Sequence, residues 1–131
     1  MRILIAEDDF ASRKFMLRFL SKYGECDVTV DGQEAIEAFA MALESGEGYD
    51  LVCLDIMMPL MDGYQVLNYI REFEKENGIP EENAVKIIMT TALNEGKNVT
   101  KAFGLGCTAY AGKPIDPDKF ENVLRKLGLI S

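Results

Sequence analysis

Paired cysteines are missing from this sequence. Cys26, Cys53 and Cys107 are odd in number, stand far apart and form no Cys-x-x-Cys pair. They suggest neither a disulfide framework nor a zinc site, and a reducing compartment fits them best. Long apolar runs are missing too. The N-terminus MRILIAEDD has five apolar residues in its first six before three carboxylates, and no segment approaches the ~18 uninterrupted apolar residues of a membrane span. A cytoplasmic protein without signal peptide or membrane contact is expected. Positive charge is scarce, with 14 basic against 22 acidic side chains and a net charge of −8. A duplex nucleic-acid binder needs clustered Lys and Arg to displace counterions from phosphates, so no direct nucleic-acid contact is expected. Repeats, low-complexity tracts and linkers are absent as well, and 131 residues with 48% hydrophobic content suit one compact domain.

What is present is an alternation. Five short apolar runs, ILIA at 3–6, CDVTV at 26–30, LVCL at 51–54, VKIIM at 85–89 and TAYAG at 108–112, read as strands. Between them the apolar residues fall at helical spacing: Phe15, Met16, Phe19 and Leu20; Ala35, Ile36, Phe39, Ala40 and Leu43; Val66, Leu67, Ile70 and Phe73; and Phe120, Val123, Leu124 and Leu127. GKNVTKAF at 96–103 is the candidate fourth helix. Gly24, Gly46, Gly78 and Gly128 stand where helices should stop, and Asp116-Pro117 supplies an N-cap followed by proline. The order is β-α repeated five times. It predicts an α/β fold, a doubly wound five-stranded parallel sheet with five helices on its two faces.

In such a sheet the working crevice lies beyond the carboxyl ends of the strands. The residues there are Glu7, Asp8 and Asp9 after the first run, Asp55 after the third, Thr90 and Thr91 after the fourth, and Lys113-Pro114 after the fifth. Carboxylates converging from two strands repel unless they share a cation or a proton. Mg²⁺ answers that repulsion, and a lysine with a threonine hydroxyl can hold the remaining oxygens of a phosphate. The set reads as a phosphoryl site with an aspartate nucleophile.

ILIAEDD at 3–9, LDIMMPLMDG at 54–63, MTTA at 89–92 and AYAGKP at 109–114 occur in this order and spacing. With these the chain resembles, over its whole length, a response-regulator receiver domain of the stand-alone chemotaxis-regulator type. The resemblance implies a flavodoxin-like receiver fold over 1–131 as a single domain without an output domain. It implies that Asp55 accepts a phosphoryl group from a partner's phosphohistidine. Glu7, Asp8, Asp55 and the Met57 carbonyl would hold Mg²⁺; Asp9 is either a member of that site or the N-cap of the first helix. Thr91, the Ala92 amide and Lys113 would bind the phosphoryl oxygens, Tyr110 would be the switch aromatic, and the Lys113-Pro114 bond would be cis. Met57 and Leu93 would flank the path of the hydrolytic water.

The implied partners are a sensor histidine kinase or a histidine phosphotransfer protein, and an unnamed downstream protein reached through the face of the fourth helix, fifth strand and fifth helix. Such a protein is a monomeric signalling phosphoacceptor, whose only chemistry is Mg²⁺-dependent self-phosphorylation and self-dephosphorylation. The wide apolar belt of the first helix, Phe15 to Leu20, serves either the core or a docking partner. Two rivals remain in view. A flavodoxin-like FMN electron carrier shares the architecture but cradles its phosphate where this chain places three acids. An aspartyl-phosphate phosphohydrolase needs an acid two residues after its nucleophile, where this chain has Met57.

Overall fold

The two periodicities sort themselves into one sheet and two helical layers. A computed structural model describes residues 1–92 and 106–131. Its elements are β1 (Arg2–Ala6), α1 (Phe10–Leu20), β2 (Glu25–Thr29), α2 (Gly32–Glu44), β3 (Leu51–Asp55), α3 (Gly63–Glu76), a 3₁₀ turn (Glu81–Asn83), β4 (Lys86–Ala92), β5 (Ala109–Lys113) and α4 (Pro117–Lys126). The last is the fifth helix of the sequence reading. The candidate fourth, GKNVTKAF, lies outside the described residues. No described helix is long and apolar enough to cross a membrane.

The described strands run parallel in the order β2-β1-β3-β4-β5. Strand residues of alternate parity face opposite layers, as the two-residue period requires. Leu4, Val52, Leu54, Ile87 and Met89 pack under α2 and α3 with Ile36, Phe39, Leu67 and Ile70. Ile3, Ile5, Leu51, Cys53 and Ile88 pack under α1 and α4 with Met16, Phe19, Leu20, Phe120 and Leu124. Burial on both faces explains why β1, β3 and β4 read as continuous apolar runs, whereas the edge strands β2 and β5 are only partly covered.

All four described helices begin at an aspartate that accepts a backbone N–H: Asp9 from Ser12, Asp31 from Glu34, Asp62 from Gln65 in a full capping box, and Asp116 from Asp118 and Lys119. Gly46, Gly78 and Gly128 have positive φ past helix ends, as expected. Gly24 does a different job. α1 stops at Leu20, and a Cβ at Gly24 would meet the Met1 carbonyl oxygen at 2.2 Å, so close backbone approach requires this glycine.

Strand ends also differ from the apolar runs. β4 continues through Thr90 and Thr91 to Ala92, and β3 and β5 include Asp55 and Lys113 as their last residues. Apolarity marks where a strand is greasy, whereas pairing continues into buried threonines that suit a pleated surface.

Candidate functional site

The chain leaves β1 to one side, towards β2, and returns on the other with β3, so the order reverses between these two strands. A crevice opens at such a point, beyond the carboxyl ends. β1 delivers Glu7 and Asp8 to it, and β3 delivers Asp55. One carboxylate oxygen from each of the three lies within 4.8 Å of the others. Glu7 and Asp55 are buried and Asp8 is exposed.

Lys113 reaches in from the tip of β5. Its Nζ lies 2.5 Å from Glu7 Oε1 and 3.1 Å from Asp55 Oδ2. The register pairs Lys113 with Ala92 and Gly112 with Thr91, which brings Thr91 and the Ala92 backbone to the same end of the sheet. Thr91 is fully buried. The Lys113-Pro114 peptide is cis, as expected. Tyr110 is half-buried in β5, paired with Met89.

The loop after β3 turns tightly. Ile56 N–H donates to the Thr90 carbonyl at 3.0 Å and Gly63 N–H to the Ile56 carbonyl at 2.9 Å. Met57 N–H donates to Asp55 Oδ1 at 3.2 Å, while the Met57 side chain is 67% exposed. Leu60 has φ +68° in the three-residue turn closed by Met61 N–H and the Pro59 carbonyl.

Asp9 resolves in favour of the helix. Its carboxylate accepts the Ser12 N–H at 2.9 Å, a bond that holds its carboxyl below the usual range, and it stands outside the three-carboxylate cluster. Leu93 lies outside the described residues. The α1 belt divides: Met16, Phe19 and Leu20 are buried, Leu17 is half-buried, and Phe15 is 38% exposed and stacked on Phe19.

The electrostatics of the site are unsettled in a way that asks for another charge. Burial, then the hydrogen bond with Asp55, pushes the Glu7 carboxyl up to about 7, although Lys113 opposes the rise. Burial alone would lower the Lys113 ammonium, yet its bond to Glu7 and the charge of Asp55 leave it raised. Glu7 Oε2 is buried without a hydrogen-bond partner. Three converging carboxylates, one with an orphaned oxygen, form a hard-oxygen donor set that fits a divalent cation. Sequence reasoning missed Arg13, whose guanidinium bonds the carbonyls of Glu7 and Asp8. Nothing in its position along a helix distinguishes it from other surface cations.

The response regulator receiver domain model matches residues 3–125. The chain belongs to the receiver family. This receiver is 33% identical to hybrid signal transduction histidine kinase L of Dictyostelium discoideum over 97% of its length, and spans 7% of that kinase. It is 35% identical to the chemotaxis protein CheY of Treponema pallidum, covering 90% of the chain and 76% of the relative. It spans about half the length of several other curated relatives. Among solved structures, the receiver domain of Ssk1 from Saccharomyces cerevisiae, crystallised with the histidine phosphotransfer protein Ypd1, superposes with a TM-score of 0.83 at 27% identity. That match covers 98% of this receiver and 88% of the other chain. The flavodoxin reading finds no support in these matches.

Proposed function

We propose that this receiver domain is the phosphoacceptor of a two-component or phosphorelay pathway, with Asp55 as the acceptor. The observation that carries the reading is the buried Asp55 carboxylate, set among Glu7, Asp8 and the Lys113 ammonium at the end of the sheet. The 131 residues contain no histidine, so a phosphohistidine donor lies outside them, on a sensor histidine kinase or a histidine phosphotransfer protein.

In the transfer, one Asp55 carboxylate oxygen bonds to phosphorus as the donor's N–P bond breaks, and the imidazole departs with the electron pair. The product is an acyl phosphate on Asp55. Glu7, Asp8, Asp55 and the Met57 carbonyl would hold Mg²⁺, which supplies charge neutralisation for the phosphoryl oxygens. Lys113 leaves its carboxylate partners for a phosphoryl oxygen, and Thr91 and the Ala92 amide donate to the others. Movement of Thr91 makes room for Tyr110 to turn inward. The outer face of β5 and α4 then changes for a downstream protein, a shift between pre-existing states. In this reading the chain acts as a monomeric signalling module rather than as an enzyme on external substrates.

The test is labelling by acetyl phosphate and by candidate phosphodonor proteins in the presence of Mg²⁺. Hydroxylamine-labile label is expected, and Asp55→Asn should abolish it. Label that persists in Asp55→Asn would overturn the assignment.

A further inference from the structure

We infer that Arg13 is a positioning residue for the divalent-cation site, acting through the backbone of the loop that carries Glu7 and Asp8. The inference rests on the cation reading of the site given above. Arg13 lies in the first turns of α1, where its own N–H bonds the Asp9 carbonyl at 2.9 Å. Its Nη1 turns back along the chain and donates to the Glu7 carbonyl at 3.0 Å and the Asp8 carbonyl at 3.3 Å. The guanidinium carbon sits 5.6 Å from the centre of the Phe10 ring, which backs it.

Those two carbonyls belong to the peptide groups on either side of the Asp8 Cα. Fixing both sets the direction in which Asp8 leaves the backbone. The other two acids have support of their own. Glu7 is buried, its N–H donates to Thr29 and its carboxylate meets Lys113; Asp55 is buried at the end of a central strand. Asp8 is the exposed member on a loop, free to swing from its like-charged neighbours unless the backbone beneath it is fixed. Arg13 thus holds open a geometry that carboxylate repulsion would otherwise relax.

The sign of the effect separates positioning from charge. A guanidinium near a cation site weakens a dication by Coulomb repulsion, so a purely electrostatic Arg13 would bind Mg²⁺ more tightly once neutralised. A positioning Arg13 does the reverse. The experiment is Mg²⁺ titration of the intact chain, followed by amide chemical shifts without any phosphodonor, for Arg13→Met, Arg13→Gln and Arg13→Lys. Arg13→Met should weaken Mg²⁺ binding about 3- to 10-fold, in the lower range of lost support around a metal site, with Gln and Lys recovering part of it through a remaining donor. With acetyl phosphate the half-saturating Mg²⁺ should rise by the same factor, while the rate at saturating Mg²⁺ stays within about twofold, a split that a general loss of stability would not produce. Unchanged or tighter Mg²⁺ binding in Arg13→Met overturns the inference. Should that variant fail to fold, Arg13→Ala, which also lacks a donor, decides by the same criterion. Because binding is read without phosphorylation, failure of Asp55 to accept a phosphoryl group would leave this result standing.

Discussion

Among the described residues two glutamates are buried to nearly the same depth, Glu7 at 3% and Glu74 at 4% exposure, and they are treated in opposite ways. Glu74, in the last turn of α3, is fully provided for. One oxygen takes the Arg71 Nη1 at 2.7 Å, the other takes the Val85 N–H at 2.7 Å, and Arg71 Nε continues to the Gly106 carbonyl at 2.9 Å. The carboxylate ties α3 to the start of β4 and to the entrance of β5. Glu7 faces two further carboxylates, shares one lysine with Asp55 and keeps one oxygen without a partner. Burial at the same depth is structural where the charge is satisfied inside the chain, and functional where satisfaction is left to something from outside.

Breaking the satisfied acid should have the largest effect on folding. Glu74→Ala strands a half-buried guanidinium and the buried Val85 N–H. The expected loss is about 3 kcal/mol in urea denaturation, the scale for removing one partner of a buried pair. Mg²⁺ affinity of the folded fraction should stay within twofold. A loss under about 1 kcal/mol would mean that solvent replaces the carboxylate readily, and the contrast with Glu7 would fail.

The unsatisfied acid should respond with the opposite sign. The Glu7 carboxyl is raised from 4.5 to about 7 on folding. Between those values the folded state binds more protons than the unfolded one, so metal-free stability falls as pH rises through the window and levels off above it. The full decrement is at most about 3 kcal/mol. Glu7→Gln should flatten this slope, leave the metal-free protein at pH 8 as stable as the parent or more so, and weaken Mg²⁺ at least about tenfold through loss of a charged ligand. Saturating Mg²⁺ should reduce the slope in the parent, since the cation favours the ionised carboxylate that the fold disfavours. Melting curves at pH 5 and pH 8, with and without Mg²⁺, check all three. A parent more stable at pH 8 than at pH 5 without metal would reverse the sign and count against it.

The contrast between these acids also marks how far the sequence could be read. Apolar runs and helical spacing located the five described strands and the four described helices, because most residues of those elements meet a local criterion. The strand ends Asp55, Thr90, Thr91 and Lys113 do not, and only pairing adds them. Asp55, Asp8, Glu7 and Lys113 were legible because strand ends in a parallel sheet collect at one edge. Glu74 was not. Its partners, Arg71 three residues away and Val85 across a turn, matter only once α3 lies against β4, and along the chain Glu74 is one of several acids on a polar helix end. Arg13 was illegible for the same reason. The Asp9 ambiguity needed the backbone, since three adjacent acids differ only in which carbonyl and which N–H they face.

A smaller effect sharpens the boundary of the site on its exposed side. Asp9→Ala removes the acceptor for the Ser12 N–H and should lower the melting temperature by clearly less than Glu74→Ala does, as loss of an exposed N-cap. Because Asp9 stands outside the carboxylate cluster, Mg²⁺ affinity should change less than twofold. A fall comparable to that of Glu7→Gln would place Asp9 in the cation site after all.

The smallest expected effect lies on the rim of the same crevice. Leu60 holds φ +68°, a left-handed conformation that crowds the Cβ of an L residue and costs roughly 1 kcal/mol or more. Its side chain is 83% exposed, so little burial within the chain offsets that strain. Around Glu74, by contrast, both carboxylate oxygens are matched. Asparagine tolerates this conformation, so Leu60→Asn should stabilise the protein by about 0.5 kcal/mol. Glycine removes the strain entirely but gives back roughly 0.5–1 kcal/mol through the freedom of the unfolded chain, so Leu60→Gly should lie near the parent. Mg²⁺ affinity should be unchanged in both, since neither touches a carboxylate. Destabilisation of both variants by more than about 1 kcal/mol would show that Leu60 packs in solution, and that the rim carries no strain for a partner or a substitution to relieve.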